Sequence, residues 1–60
     1  MSDIPLDLRV GESVVVKGHN RQSIRRAVFD AQKRYWRLTG VEMVLVSERC
    51  PEGHIVRRTA

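Results

Sequence analysis

The chain has 60 residues, a formal net charge of +4 and a single cysteine, Cys50. At this length only roughly 60% of the unfolded chain's surface can be buried, so we expect one domain with a marginal core. One cysteine excludes an internal disulfide, which leaves homodimer formation as a way to stabilise so small a fold. The first ten residues contain two aspartates and Pro5 and no unbroken apolar run. We therefore expect neither a signal peptide nor a membrane span, and a cytoplasmic protein.

The basic residues are concentrated in one segment. Residues 17–37 contain seven Lys or Arg against Asp30 alone, a local excess of six, whereas the rest of the chain is slightly acidic. Such a patch attracts polyanions through a salt-dependent field, which favours nucleic acid as the partner. Arginine and lysine are also good helix formers that solvate an outer face. Charge alone leaves both interpretations open.

The sequence before residue 20 predicts one strand. Residues 13–17 contain three consecutive valines, a β-branched run typical of a strand, and Gly18 ends it. Leu6, Leu8 and Val10 alternate with other residues, so we expect residues 1–9 to form an extended lead-in that can pair at a sheet edge. The folded core then covers residues 10–59.

An amphipathic helix is predicted over residues 20–39. The Asn20 side chain can accept a hydrogen bond from an amide of the first turn, and Gly40 suits the left-handed position after the last turn. Apolar residues recur at spacings of three, four and seven, the pattern of one buried stripe. The stripe consists of Ile24, Ala27, Val28, Ala31, Tyr35 and Leu38.

Two more strands are predicted after the helix. Residues 41–47 are largely apolar, which favours a strand with much of both faces covered. Pro51, Glu52 and Gly53 indicate a turn, and residues 54–59 are expected to return as the last strand of a hairpin. The predicted fold is an α+β domain of βαββ order. Its helix packs on one face of a three-stranded, mainly antiparallel sheet. The strand order stays open; if the last strand lies between the other two, every neighbouring pair is antiparallel.

The outer surface of the helix carries the candidate binding residues. Because successive residues turn by about 100°, Phe29 and Trp36 lie together on a flank beside Arg25, outside the buried stripe. The outermost row is formed by Arg26, Lys33 and Arg37. The candidate nucleic-acid-binding residues are Arg21, Arg25, Arg26, Lys33, Arg34 and Arg37.

Three interpretations of Phe29 and Trp36 stay open. In the first, the lead-in with Leu6 and Leu8 folds over this flank and covers both rings, since a small core recruits large side chains. In the second, the two rings and Arg25 form a protein interface, because Trp, Phe and Arg dominate interface energetics. In the third, bases of a single strand stack on Trp36 while neighbouring cations hold phosphates.

Duplex binding is a separate alternative. The outward-facing Gln22, Arg26 and Arg37 can read base edges if the helix lies in a major groove. A helix-turn-helix is excluded because only one helix is predicted. A second basic cluster, which either adds phosphate contacts or is a solvated terminus, consists of Arg49, Arg57 and Arg58.

Neither a catalytic nor a metal site is expected. Cys50 and His54 lie four residues apart and His19 is a further ligand type, but a structural zinc site needs four ligands with paired spacing. No third group or oxyanion hole accompanies Cys50 and His54 as a nucleophile pair. The glycines punctuate turns and form no phosphate loop. We therefore expect no enzyme activity, cofactor, small-molecule substrate or membrane partner.

Three short motifs carry a resemblance to a protein group. They are Val10-Gly11-Glu12-Ser13 before the valine strand, Ser23-Ile24-Arg25 opening a basic helix with Lys33-Arg34, and a terminal strand with Gly53, Val56 and Arg58. From residue 10 to residue 58, the chain resembles very small bacteriophage and prophage proteins of unassigned function. The resemblance implies a βαββ fold, a phage origin and the cytoplasm of a bacterial host.

The resemblance also implies two kinds of function, because small early phage proteins commonly bind nucleic acid or inhibit a host machine. We expect a nucleic-acid-binding protein that uses the basic face of its helix. The alternative is an inhibitor of a host protein complex, of the anti-CRISPR or another anti-defence type, that acts through Phe29, Trp36 and Arg25.

Overall fold

One helix and three strands follow one another in βαββ order in the computed structural model, which describes residues 4–60. The elements are β1 (Ser13–Val16), α1 (Arg21–Thr39), β2 (Leu45–Cys50) and β3 (Gly53–Arg58). This confirms the predicted α+β class and the order of the elements. Residues 1–3 of the expected lead-in lie outside the described residues.

The central strand of the sheet is β3, which pairs antiparallel with both β1 and β2. Its Val56 lies opposite Val14 of β1 and Ser47 of β2. Because side chains alternate along a strand, these residues share one face with Val16 and His54, and Val16 and Val56 are buried. The predicted mainly antiparallel sheet is confirmed, and the strand order that the sequence left open is β1-β3-β2.

The core lies between this face and the buried stripe of α1. Ile24 and Ala31 supply the fully buried helix residues, and Ala27, Val28 and Tyr35 pack at the margin. A buried Val, Leu or Ile side chain contributes about 1.5–3 kcal/mol relative to an exposed one. The buried core residues are Ile4, Leu8, Val16, Ile24, Ala31, Met43, Leu45 and Val56.

Both ends of α1 are capped as the sequence predicts. The Asn20 side-chain oxygen accepts a hydrogen bond from the amide of Ser23 at 2.8 Å. Gly40 has a left-handed φ of 74°, and its amide donates to the carbonyl of Trp36 at 2.8 Å. The prediction that Leu38 belongs to the buried stripe is wrong, because its side chain is 75% exposed. Burial decreases from Ala31 through Tyr35, so the last turn extends beyond the core.

The predicted limits of the second strand are also wrong. β2 begins at Leu45 rather than residue 41, although Val44 already accepts from the amide of Thr59 at 2.9 Å. The expected burial of both faces does not occur either. Val44 and Val46 are 44% and 43% exposed, because α1 covers only one face of the sheet.

The opposite face of the sheet, called here the outer face, is open. Alternation places Val15, Val46 and Ile55 on it, together with Glu48 and Arg57. Val15 is 50% exposed and Ile55 is half-buried. Apolar side chains on this face therefore have solvent, and no second layer from residues 4–60, above them.

The segment before β1 enters the core instead of lying extended at a sheet edge. It turns at Leu6 and Asp7, and Ile4 and Leu8 are buried. The guanidinium of Arg58 donates to the carbonyl of Leu8 at 2.8 Å and its Cζ lies 4.8 Å from the centre of the Tyr35 ring. These contacts hold the segment, the last strand and the helix together.

Gly53 lies against the backbone at the end of β1. Its φ is 147°, and a Cβ atom built there would come within 2.4 Å of the carbonyl oxygen of Val16. We expect Gly53→Ala to lower the free energy of unfolding by roughly 2–5 kcal/mol, through backbone strain plus steric overlap. Gly40→Ala is the matched control, since a Cβ there meets open space.

The control variant should lose only the cost of a left-handed alanine, about 1–2 kcal/mol. Urea unfolding followed by circular dichroism measures both changes. Equal losses in the two variants would contradict a steric role for Gly53.

Candidate nucleic-acid interface

The solvent face of α1 presents two large aromatic rings. Phe29 is 66% exposed and Trp36 is 55% exposed. They lie seven residues apart on one flank, about 10.5 Å along the helix axis. The orientation of the helix explains their exposure, because burying Ile24 and Ala31 turns this flank away from the sheet.

The interpretation in which the lead-in covers these rings is wrong. Leu8 is buried in the core and Leu6 packs against it, so both leucines lie under the helix stripe rather than over its flank. Phe29 and Trp36 keep more than half of their surface in solvent. The interpretations that remain are the ones that give these rings a partner.

Cations alternate with the rings along the same surface. Arg25 and Lys33 lie four residues before and after Phe29, and Lys33 also lies three residues before Trp36, spacings that bring side chains together on a helix. All of these cations are exposed. The outer row of Arg26, Lys33 and Arg37 continues the positive surface away from the sheet. We call this set of exposed side chains the helix face: Gln22, Arg25, Arg26, Phe29, Lys33, Trp36 and Arg37.

Arg34 does not belong to the helix face. Its Nε lies 3.0 Å from Oδ2 of Asp30, one turn earlier in α1. A rotation of about 100° per residue puts this pair on the flank opposite Phe29 and Trp36. The pairing also reduces the positive charge that Arg34 contributes, so it is the weakest of the predicted nucleic-acid residues.

Arg21 and Arg25 lie beside a cleft that the sequence did not reveal. The cleft has a volume of about 950 Å³ and separates the beginning of α1 from the turn between β2 and β3. Arg49 and His54, which are paired neighbours in the sheet, line its other side. The alternation that buries Val56 turns these two polar side chains toward the helix.

The second predicted basic cluster is divided by the structure. Arg49 lines the cleft, whereas Arg57 lies on the outer face of the sheet. Arg58 is half-buried and held by Leu8, Tyr35 and the carbonyl of Ala60. These arginines therefore form no common phosphate-binding surface, and Arg57 and Arg58 lie within β3 rather than in a solvated terminus.

The described part of the chain contains no cluster of metal-ligating side chains. Between residues 4 and 60, no three His, Cys, Asp or Glu side chains lie close enough together to hold a metal ion. Cys50 and His54 both line the cleft, and the Nδ1 atom of His19 lies 2.6 Å from the hydroxyl of Ser23. None of the helices described is long and apolar enough to cross a membrane.

Comparison of the chain with protein-family models, curated proteins and solved structures finds no match. The assignment of a function therefore rests on the geometry and charge of the helix face and the cleft.

Trp36 is the only tryptophan, so its fluorescence reports on the helix face alone. We expect acrylamide to quench it nearly as well in the folded as in the urea-unfolded protein. At low ionic strength, iodide should quench it more than caesium does, because the neighbouring cations attract the anion.

Raising the salt concentration should remove the difference between iodide and caesium. Strong protection from acrylamide in the folded protein would contradict an exposed Trp36. Protection that increases with protein concentration would instead reveal a second copy of the chain over this face.

Proposed function

We propose that this chain is a non-enzymatic binding module that binds single-stranded nucleic acid through the helix face. The exposure of Phe29 and Trp36 among cations is the observation that carries this proposal. Non-specific single-strand binders combine aromatic platforms for the bases with a positive surface for the backbone. Duplex binding through the same helix is less favoured, because two bulky rings on the contact flank provide stacking surface rather than base-edge readout.

The two rings contribute binding energy by stacking. A base stacked on an aromatic side chain contributes about 1–3 kcal/mol in binding. Phe29 and Trp36 offer two such platforms along one helix edge. Because every base has a π-face, the platforms favour single strands without selecting a sequence.

The cations of the helix face are free to take phosphates. Within residues 4–60, Arg25, Arg26, Lys33 and Arg37 form no ion pair, whereas Arg34 is engaged with Asp30. Neutralising phosphates with such side chains releases counterions, which makes affinity fall with added salt. The same cations attract the strand before contact.

The Trp36→Ala variant tests the stacking contribution. We expect its affinity for a single-stranded oligonucleotide to fall about 5- to 150-fold, the equivalent of one lost stacking contact. Fluorescence anisotropy of a labelled strand measures the change. Circular dichroism should show that the variant keeps the fold of the parent protein, because Trp36 is not one of the buried core residues.

The double variant Arg26→Ala with Arg37→Ala tests the phosphate contacts. Its slope of log affinity against log salt should become shallower by about 1.4, or about 0.7 for each single-strand phosphate contact. Arg57→Ala removes one positive charge from the outer face of the sheet and is the control, so its slope should equal that of the parent protein. Undetectable binding of single strands by the parent protein, or an affinity independent of salt, would sink the proposal.

A protein partner is the second candidate function. Phe29, Trp36 and Arg25 are the residue types that dominate interface energetics, and more than half of each ring's surface is uncovered. An inhibitor of a host complex, which the phage resemblance implies, would use this flank as its anchor. The two candidates require the same rings but differ in the partner.

A pull-down from bacterial lysate, with and without nuclease, separates the two candidates. An inhibitor should retain one specific protein after nuclease treatment, and Trp36→Ala should release it. Loss of all captured protein on nuclease treatment supports nucleic-acid binding instead. The Arg57→Ala protein serves again as the folded control, since its change lies on the opposite side of the sheet.

A further inference from the structure

The cleft beside the helix face has the composition of an anion site. Among residues 4–60, its charged lining residues are Arg21 and Arg25 from α1, Arg49 from β2, and Glu52 from the turn between the strands. With histidine neutral, three positive charges against one negative leave an excess of two. The positive side chains come from two separate elements and converge on one concave space.

The three arginines of the cleft are uncommitted. Within the described chain, none of Arg21, Arg25 and Arg49 donates to a carboxylate or to a backbone carbonyl. Arginine presents a planar fork of donors that matches the oxygens of a phosphate. Neighbouring like charges repel one another, and a bound anion would remove that repulsion.

His54 supplies an independent observation. Its side chain lines the cleft, and its Nδ1 is the only buried side-chain nitrogen or oxygen in residues 4–60 that lacks a hydrogen-bond partner. Buried polar atoms are almost always paired, so an unpaired one requires an explanation. A ligand with acceptor oxygens in the cleft would give the imidazole a partner after a change of ring orientation.

The cleft is continuous with the helix face. Arg25 lines the cleft and lies one turn before Phe29, so their Cβ atoms are about 5–6 Å apart. A strand whose bases stack on Trp36 and Phe29 therefore reaches the cleft with its next phosphate. The hairpin turn at Pro51 and Glu52 lines one side of the cleft, which favours a strand that ends there.

We propose that the cleft binds the terminal phosphate of the single strand held by the helix face, an inference that rests on the proposed function. A terminal phosphate monoester carries close to two negative charges at neutral pH, whereas an internal phosphodiester carries one. The three arginine side chains supply the positive charge that the doubly charged phosphate requires. Arg21 and Arg49 then select strand ends, and Arg25 connects the end site to the stacking rings.

The test compares three labelled oligonucleotides of one sequence, bearing a 5′-phosphate, a 3′-phosphate or no terminal phosphate. We expect the parent protein to bind one of the phosphorylated strands about tenfold or more tightly than the unphosphorylated strand. Arg49→Gln and Arg21→Gln should each reduce this preference, because they weaken binding of the phosphorylated strand more than binding of the unphosphorylated strand. Glu52→Gln should increase it, because Glu52 is the only acidic residue among residues 4–60 that lines the cleft.

Two control variants distinguish failure of the end site from failure of the proposed function. Trp36→Ala should lower the affinity for all three strands by a similar factor, and Arg57→Gln should leave all three affinities unchanged. Equal affinity of the parent protein for all three strands overturns the end site and leaves the proposed function intact. Absence of binding to every strand overturns the proposed function, and the end site with it. If both Arg49→Gln and Arg21→Gln keep the preference for a phosphorylated strand, the cleft is not the site that binds the terminal phosphate.

Discussion

The packing of α1 on one face of the sheet determines how the rest of the surface is used. Ile24 and Ala31 share one buried core with Val16 and Val56, and burying this stripe fixes the rotation of the helix about its axis. Residues 4–60 supply no second layer of helices or strands to cover the surfaces that face away from this contact. Consequently the aromatic flank of the helix and the outer face of the sheet both remain in solvent.

The helix could be predicted almost residue by residue because its signals are local. Asn20, Gly40 and the apolar spacing between them specify a helix without reference to any other element. The burial of Leu38 and the limits of β2 could not be predicted in the same way. Both depend on where the sheet ends beneath the helix, which is set by the pairing of β3 and not by the sequence nearby.

The helix face was also recognisable from sequence, because periodicity alone separates Phe29 and Trp36 from the stripe. The cleft was not, since it joins residues near position 21 to residues near position 50. The sequence does contain one signal for the side of the cleft that the strands form. A two-residue turn at Pro51 and Glu52 places Arg49 opposite His54, and alternation from buried Val56 directs both toward the helix. Recognising which end of the helix meets them requires the three-dimensional structure.

Exposure of the two rings reduces the hydrophobic stabilisation of a protein whose core is already small. An aromatic side chain buries about 150–250 Å² when covered, so each half-exposed ring forgoes on the order of 3 kcal/mol of hydrophobic stabilisation. The lead-in is long enough to place Leu8 in the core, yet neither ring is covered. The hydrophobic stabilisation that folding does not gain from these rings is gained when a base or a partner's side chain covers them. The same surface features that make this fold marginal are therefore the ones that suit it to binding.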